Sequence, residues 1–168
     1  MAVSIEDIKK LRAMTGAGLA DVKKALTEAE GDFDKAKELL RERGLAIAAK
    51  RSDRETSNGC VLVKKVNDFA AIIALKCETD FVANGADFIK LTSDILDAAI
   101  AAKAHTLDEV KTLKVGDADA QAAVTQRSGI TGEKMELDGY CVLEGDNIEV
   151  YDHMNKHTLC TMGQLNEN

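Results

Sequence analysis

The spacing of apolar residues changes period after the first third of this chain, and that change limits the folds open to it. Up to Gly44 they recur every three or four positions, the repeat that lays one stripe along an α-helix. Between Cys60 and Leu75, short runs of β-branched and aliphatic residues take over. Between the two lies Ser52-Asp53-Arg54-Glu55-Thr56-Ser57-Asn58, a polar stretch that reads as a linker. The fold class expected is α+β: a three-helix bundle first, then antiparallel strands with packing helices.

Ser4 can cap a first helix whose opening turn carries Glu6 and Asp7, charges favoured at a helix N-terminus. Its stripe is Ile5, Ile8, Leu11 and Met14, and Thr15-Gly16-Ala17-Gly18 breaks it. A second helix carries Leu19, Val22, Leu26 and Ala29. A third is capped by Asp32, carries Phe33, Ala36, Leu39 and Leu40, and is expected to stop at Gly44. Residues 45–51 can add one turn or two. Helices this short are unstable alone and must share one small core.

Cys60-Val61-Leu62-Val63 and Ala71-Ile72-Ile73-Ala74-Leu75 flank Asn67-Asp68 and predict an antiparallel hairpin. Both of its faces are partly apolar, so another layer must cover it. Residues 86–103 supply that layer, with Phe88, Leu91, Ile95, Leu96, Ala99 and Ile100 on one helical stripe. Two shorter helices are expected at 106–113 and 117–127, capped by Thr106 and Asp117. Strand patterns return at 140–143, 148–151 and 159–162, with a turn at Glu144-Gly145-Asp146-Asn147, before a polar tail.

Composition narrows the function. The 168 residues allow one or two domains, and 45% hydrophobic content is enough for a real core. A net charge of −7 disfavours nonspecific binding to a phosphate backbone. Aromatic content is 4% with no Trp, which excludes stacking platforms for single-stranded nucleic acid. No apolar run approaches the ~20 residues that span a bilayer, and the N-terminus lacks a secretory core, so neither membrane nor direct nucleic-acid partners are expected. A cytoplasmic protein is expected. Its four cysteines, Cys60, Cys77, Cys141 and Cys160, would then be scattered reduced thiols without zinc spacing. No cofactor or metal site is expected. Charge is uneven: residues 1–51 carry 11 basic and 9 acidic side chains, the remainder 11 and 20, which suggests two modules with different tasks.

The stretch Cys77-Glu78-Thr79-Asp80-Phe81-Val82-Ala83-Asn84 follows a strand and precedes a helix, where functional loops are common. Two readings stand. Thr79 or Asp80 caps a turn while Phe81 joins the core, or Phe81 projects beside Asp80 as an apolar wedge next to a carboxylate. Thr15-Gly16-Ala17-Gly18 is a tight turn between helices rather than a phosphate cradle, since it lacks the preceding strand and the P-loop spacing. Cys77 with His153 is a conceivable thiol pair without a supporting motif. His105 and His157 read as surface residues. Lys9, Arg12 and Lys23 either form a solvated face or rim an apolar patch that docks on an acidic partner.

Taken together, several segments resemble the bacterial elongation factor Ts family. They are Leu11-Arg12, Thr15 to Leu19, Asp21-Val22-Lys23-Lys24-Ala25-Leu26, Glu28-Ala29 and Gly31-Asp32, then Thr79-Asp80-Phe81-Val82-Ala83. Gly132-Glu133, Leu143-Glu144-Gly145-Asp146, Tyr151 and His153 extend the match toward the end of the chain. Asp138-Gly139 replaces an Arg pair frequent in that family, and Met154 stands where a Gly commonly follows the His. The resemblance implies a guanine nucleotide exchange factor, not an enzyme, with elongation factor Tu as partner in its GDP-bound and nucleotide-free forms. It implies an N-terminal docking module over 1–52, similar to ubiquitin-associated domains, a first core half over 53–132 and an incomplete second half over 133–168. The chain is expected to be a fragment of a longer protein, whose exposed apolar strands at 140–143 and 159–162 offer edges for self-association. Carried over by motif, Thr79, Asp80, Phe81 and Val82 form a loop that disturbs the partner's Mg²⁺ and phosphate site. Arg12, Leu19 and Lys23 belong to the docking face, and His153 is a further contact. The alternative function is a non-catalytic helical adaptor that binds another protein. An exposed Phe81 favours the exchange factor and a buried one the adaptor.

Overall fold

In a computed structural model that describes residues 3–165, the chain divides into two compact units. One comprises Met1–Arg54 and Thr125–Lys134, the other Glu55–Val124 and Met135–Asn168. The last three residues of the expected polar tail lie outside the described residues.

The first unit begins with α1 (Ile5–Thr15), α2 (Leu19–Glu28) and α3 (Phe33–Lys50). Ser4 caps α1 by accepting from the Asp7 amide, and Asp32 caps α3 by accepting from Asp34 and Lys35. Ile8, Leu11, Val22, Ala25, Leu26, Ala29 and Ala36 form the shared core, with Phe33, Leu39 and Leu40 packed against it. Three stripe residues depart from expectation: Ile5, Met14 and Leu19 are exposed. The core takes only Ile8 and Leu11 from α1 and Val22, Ala25 and Leu26 from α2, so residues at the edges of each stripe face water. Gly44 does not stop α3, which continues six residues further. One interior glycine costs about 1 kcal/mol against Ala, too little by itself to end an 18-residue helix. Arg51 Nη1 donates to Ser128 O at 2.9 Å, and Lys134 Nζ donates to Ser52 O at 2.7 Å and Arg54 O at 3.0 Å, joining residues 125–134 to this unit.

In the second unit, β1 (Asn58–Val66) and β2 (Phe69–Cys77) form the expected hairpin in full antiparallel register, Asn58 opposite Cys77 and Val66 opposite Phe69. Asn67 turns the corner at φ +54, a conformation Asn tolerates better than most residues. The one-turn helix α4 (Asp80–Ala83) follows, then α5 (Ala86–Ala101), which buries Phe88, Thr92, Ile95, Leu96, Ala99 and Ile100. Burying a side chain the size of Phe88 or Ile95 contributes about 1.5–3 kcal/mol. α6 (Leu107–Thr112) carries a full capping box between Thr106 and Glu109.

The expected helix at 117–127 starts later. β3 (Lys114–Val115) and β4 (Ala118–Asp119) form a two-residue ladder first, and Asp119 rather than Asp117 caps α7 (Ala120–Thr131) by accepting from Ala122 N at 2.7 Å. β5 (Glu136–Glu144) then pairs antiparallel with β2, giving a three-stranded sheet in the order β1-β2-β5. The expected strand at 140–143 thus lies inside β5, where Tyr140, Val142 and Leu143 are half-buried. β6 (Ile148–Asp152) and β7 (Cys160–Gln164) make a separate ribbon, joined by a 3₁₀ turn over His153–Asn155.

Candidate functional site

The segment between β2 and α5 is where the two readings of Phe81 part. Thr79, not Asp80, is the cap of α4: its Oγ1 accepts from Val82 N at 3.3 Å. A helix turns about 100° per residue, so the four residues of this single turn spread around its whole circumference and cannot all face the core. Ala83 is buried and Val82 packs against the core, which directs Phe81 outward. Phe81 is 87% exposed, the highest value among the large exposed hydrophobic side chains, and Asp80 beside it is exposed too. The sharp reading of Phe81 as a projecting residue therefore holds in the fold.

This projection rests on a well-fixed base. Ala83 N donates to Thr79 O at 3.1 Å, and Asn84 N donates to Asp80 O at 2.9 Å. The Asn84 side-chain amide donates to the same Asp80 carbonyl at 2.9 Å. On the strand side, Asn58 Nδ2 donates to Glu78 O at 2.9 Å and Cys77 Sγ donates to Thr79 O at 3.2 Å. Gly85 closes the element, and a Cβ there would meet Val82 O at 3.1 Å.

The other residues singled out from the sequence fall on two further surfaces, each described within its own unit. Arg12 on α1 and Leu19 and Lys23 on α2 are exposed, with Leu19 at 56%. They flank the α1–α2 turn, where Gly16 adopts φ +64 and caps α1 through a bond from its N–H to Arg12 O. That geometry is the tight turn expected of Thr15-Gly16-Ala17-Gly18. His153 is exposed after β6, with Nδ1 3.1 Å from Tyr151 Oη and the two rings edge to face at 5.8 Å. Met154 beside it takes φ +56, a left-handed conformation that suits glycine.

Cys77 is buried and donates to Thr79, while His153 sits against Tyr151, so each has a different neighbour and the thiol pair considered from the sequence lacks a basis in these contacts. His157 departs from its surface reading: it is part-buried, with Nδ1 2.7 Å from Asp152 Oδ2. His105 is exposed and lies 3.6 Å from Glu144. Burial pushes the Cys60 thiol up to about 11, and burial with the nearby Asp152 carboxylate raises Cys160 to about 11. Thiols in that range are poor nucleophiles at neutral pH. Among the described residues, no three His, Cys, Asp or Glu side chains assemble into a metal site, and no helix is long and apolar enough to cross a membrane.

Sequence reasoning missed Asn58, Cys77 as a hydrogen-bond donor, and Asn84. Their roles depend on strand register and loop path, which no local motif displays.

Comparison with known proteins gives these surfaces a context. Residues 78–168 match the family model described as Elongation factor TS, a stretch that contains the whole Thr79-Asp80-Phe81-Val82 loop. Elongation factor Ts of Bacteroides fragilis is 66% identical over 167 residues, covering 99% of this chain and 51% of that protein. The Bacteroides thetaiotaomicron protein of the same name is 62% identical over 168 residues, covering 100% and 51%. That of Porphyromonas gingivalis is 49% identical, covering 99% and 61%. The chain spans about half the length of these Bacteroides relatives. With the family match running over more than half of the chain and through the projecting loop, this chain belongs to the translation elongation factor Ts family.

Proposed function

We propose that this chain acts as a guanine nucleotide exchange factor for elongation factor Tu, and that it accelerates GDP release rather than carrying out a chemical transformation. The observation that carries the reading is Phe81, held 87% exposed on a capped single turn beside Asp80. A single exposed phenyl ring is common on protein surfaces, but this one stands on a capped turn inside the stretch that matches the family model, which supports a partner-facing role.

The mechanism is differential binding. Mg²⁺ on the GTPase neutralises phosphate charge and helps hold GDP. Phe81 supplies bulk that displaces neighbouring segments of that site. Asp80 supplies a carboxylate that competes for the donors and the cation. Thr79 and Val82 hold the turn in shape. A factor that stabilises the empty GTPase more than the GDP-bound one weakens GDP, and GDP weakens the factor by the same ratio. No acid, base or nucleophile on the factor is needed. Arg12, Leu19 and Lys23 form the docking face, and His153 adds a contact. Such a factor works in the cytoplasm on a protein partner, without touching nucleic acid or membrane.

The test is release of fluorescent GDP from purified elongation factor Tu, with and without the chain. Faster release supports exchange. Binding without acceleration removes the exchange role for this chain, and no binding turns the reading to the adaptor. Lys23→Glu should weaken binding in a salt-dependent way, because opposite charges at an exposed rim are screened. An unchanged affinity removes Lys23 from the docking face.

A further inference from the structure

Resting on the exchange reading, we propose that Asn58 and Cys77 are positioning residues for the Asp80-Phe81 turn, clamping the carbonyls at which β2 gives way to α4. They are the last register pair of the hairpin. Strand β1 begins at Asn58, so its backbone offers Glu78 no continuing ladder. The Asn58 side-chain amide takes the place of that ladder, donating to Glu78 O at 2.9 Å. One residue further, the buried Cys77 thiol reaches forward to Thr79 O at 3.2 Å. Thr79 O also accepts the first helical bond of α4, from Ala83 N. Two consecutive carbonyls are thereby fixed from the strand side just before the turn that carries Phe81.

Gly59 makes the clamp reachable. It pairs with Lys76, and a Cβ at this position would stand 2.5 Å from Leu75 O. Without a side chain there, β1 lies close enough for Asn58 to reach across.

The clamp matters because α4 has four residues, far fewer than a helix needs to persist by itself. An unclamped turn would let the Phe81 ring fold back toward apolar surface, which water favours. Only the fraction of molecules presenting the ring outward could then enter the partner's site. Docking contacts on α1 and α2 would be unaffected by that fraction. The clamp therefore acts on the rate of GDP release at saturation more than on affinity.

The experiment uses the full chain with purified elongation factor Tu and fluorescent GDP. Asn58→Asp keeps the shape and removes the donor. Cys77→Ala removes the thiol, and Cys77→Ser restores a donor. Asn58→Asp and Cys77→Ala should each lower the maximal release rate roughly three- to tenfold, the scale of one lost hydrogen bond. The half-saturating concentration should stay within about twofold, the rate being set by the loop and not by docking. Cys77→Ser should recover most of the rate. Independently of activity, hydrogen exchange at Val82, Ala83 and Asn84 should quicken in Asn58→Asp, while the amides of α5 stay protected. Wild-type rates in both donorless variants, or unchanged exchange at 82–84, overturn the clamp. Loss of rate together with loss of α5 protection also overturns it, since that is unfolding. A wild-type chain that fails to accelerate GDP release instead overturns the exchange reading itself, whatever the amides of 82–84 do.

Discussion

Phe81 and Met154 show how far single residues could be read. The motif around Phe81 was visible in the sequence, but its direction was not, because a capped core Phe and a projecting one share the same local pattern. What separates them is that Val82 and Ala83 take the inward positions of α4. Met154 marks the opposite case. The resemblance placed a glycine there, and the φ of +56 supplies the physical reason. Because Met154 is 65% exposed, little packing is lost on removing its side chain. Met154→Gly should raise stability by about 1 kcal/mol through relief of left-handed strain, read as a shift in the urea midpoint. An unchanged or lowered midpoint would mean the turn is not strained.

At the scale of elements, the long periodic segments were legible and their ends were not. The β1–β2 hairpin and α5 follow from alternation and from a six-residue stripe, signals repeated often enough to outweigh any one position. Boundaries hang on single residues. Asp119 and Asp117 are equally good caps by composition, and the β3–β4 ladder decides between them. Asp119→Ala should cost about 1 kcal/mol, seen as a lower thermal midpoint, whereas Asp117→Ala should change little. Equal effects would contradict the assigned cap. Gly44 reads as a stop signal in isolation, yet α3 runs through it, because one interior glycine costs only about 1 kcal/mol against Ala. A Cβ at Gly44 would meet Thr125 Cγ2 at 3.7 Å, an ordinary contact. Gly44→Ala should therefore stabilise the chain by about 0.5–1 kcal/mol, measured by urea unfolding. A loss of stability would show that α3 ends or bends there.

For the whole molecule, the buried Cys60 and the part-buried Cys160 and Tyr140 couple stability to alkaline pH. Burial raises Cys60 and Cys160 from 9.0 to about 11, and burial with the Glu109 charge raises Tyr140 from 10.0 to about 12. In each case the folded chain holds the proton more tightly than the unfolded one. Their stabilising effect is complete below pH 9 and is lost progressively as pH rises through 9 to 12. The thermal midpoint should fall over that range, and Cys60→Ala should flatten the lower part of the fall. A flat midpoint between pH 8 and 11 would mean these groups are open to water in solution.

The α+β class and the projecting loop meet in one question, which is whether the outward Phe81 drives nucleotide release. The direct measurement is the rate of fluorescent GDP release from elongation factor Tu, with wild-type chain and with Phe81→Ala compared at saturating concentration. Wild type should accelerate release, and Phe81→Ala should keep its thermal midpoint and its binding while losing most of the acceleration, because an exposed side chain adds little to the fold. Equal acceleration by both would contradict the role of Phe81. A Phe81→Ala chain that unfolds would contradict its outward placement.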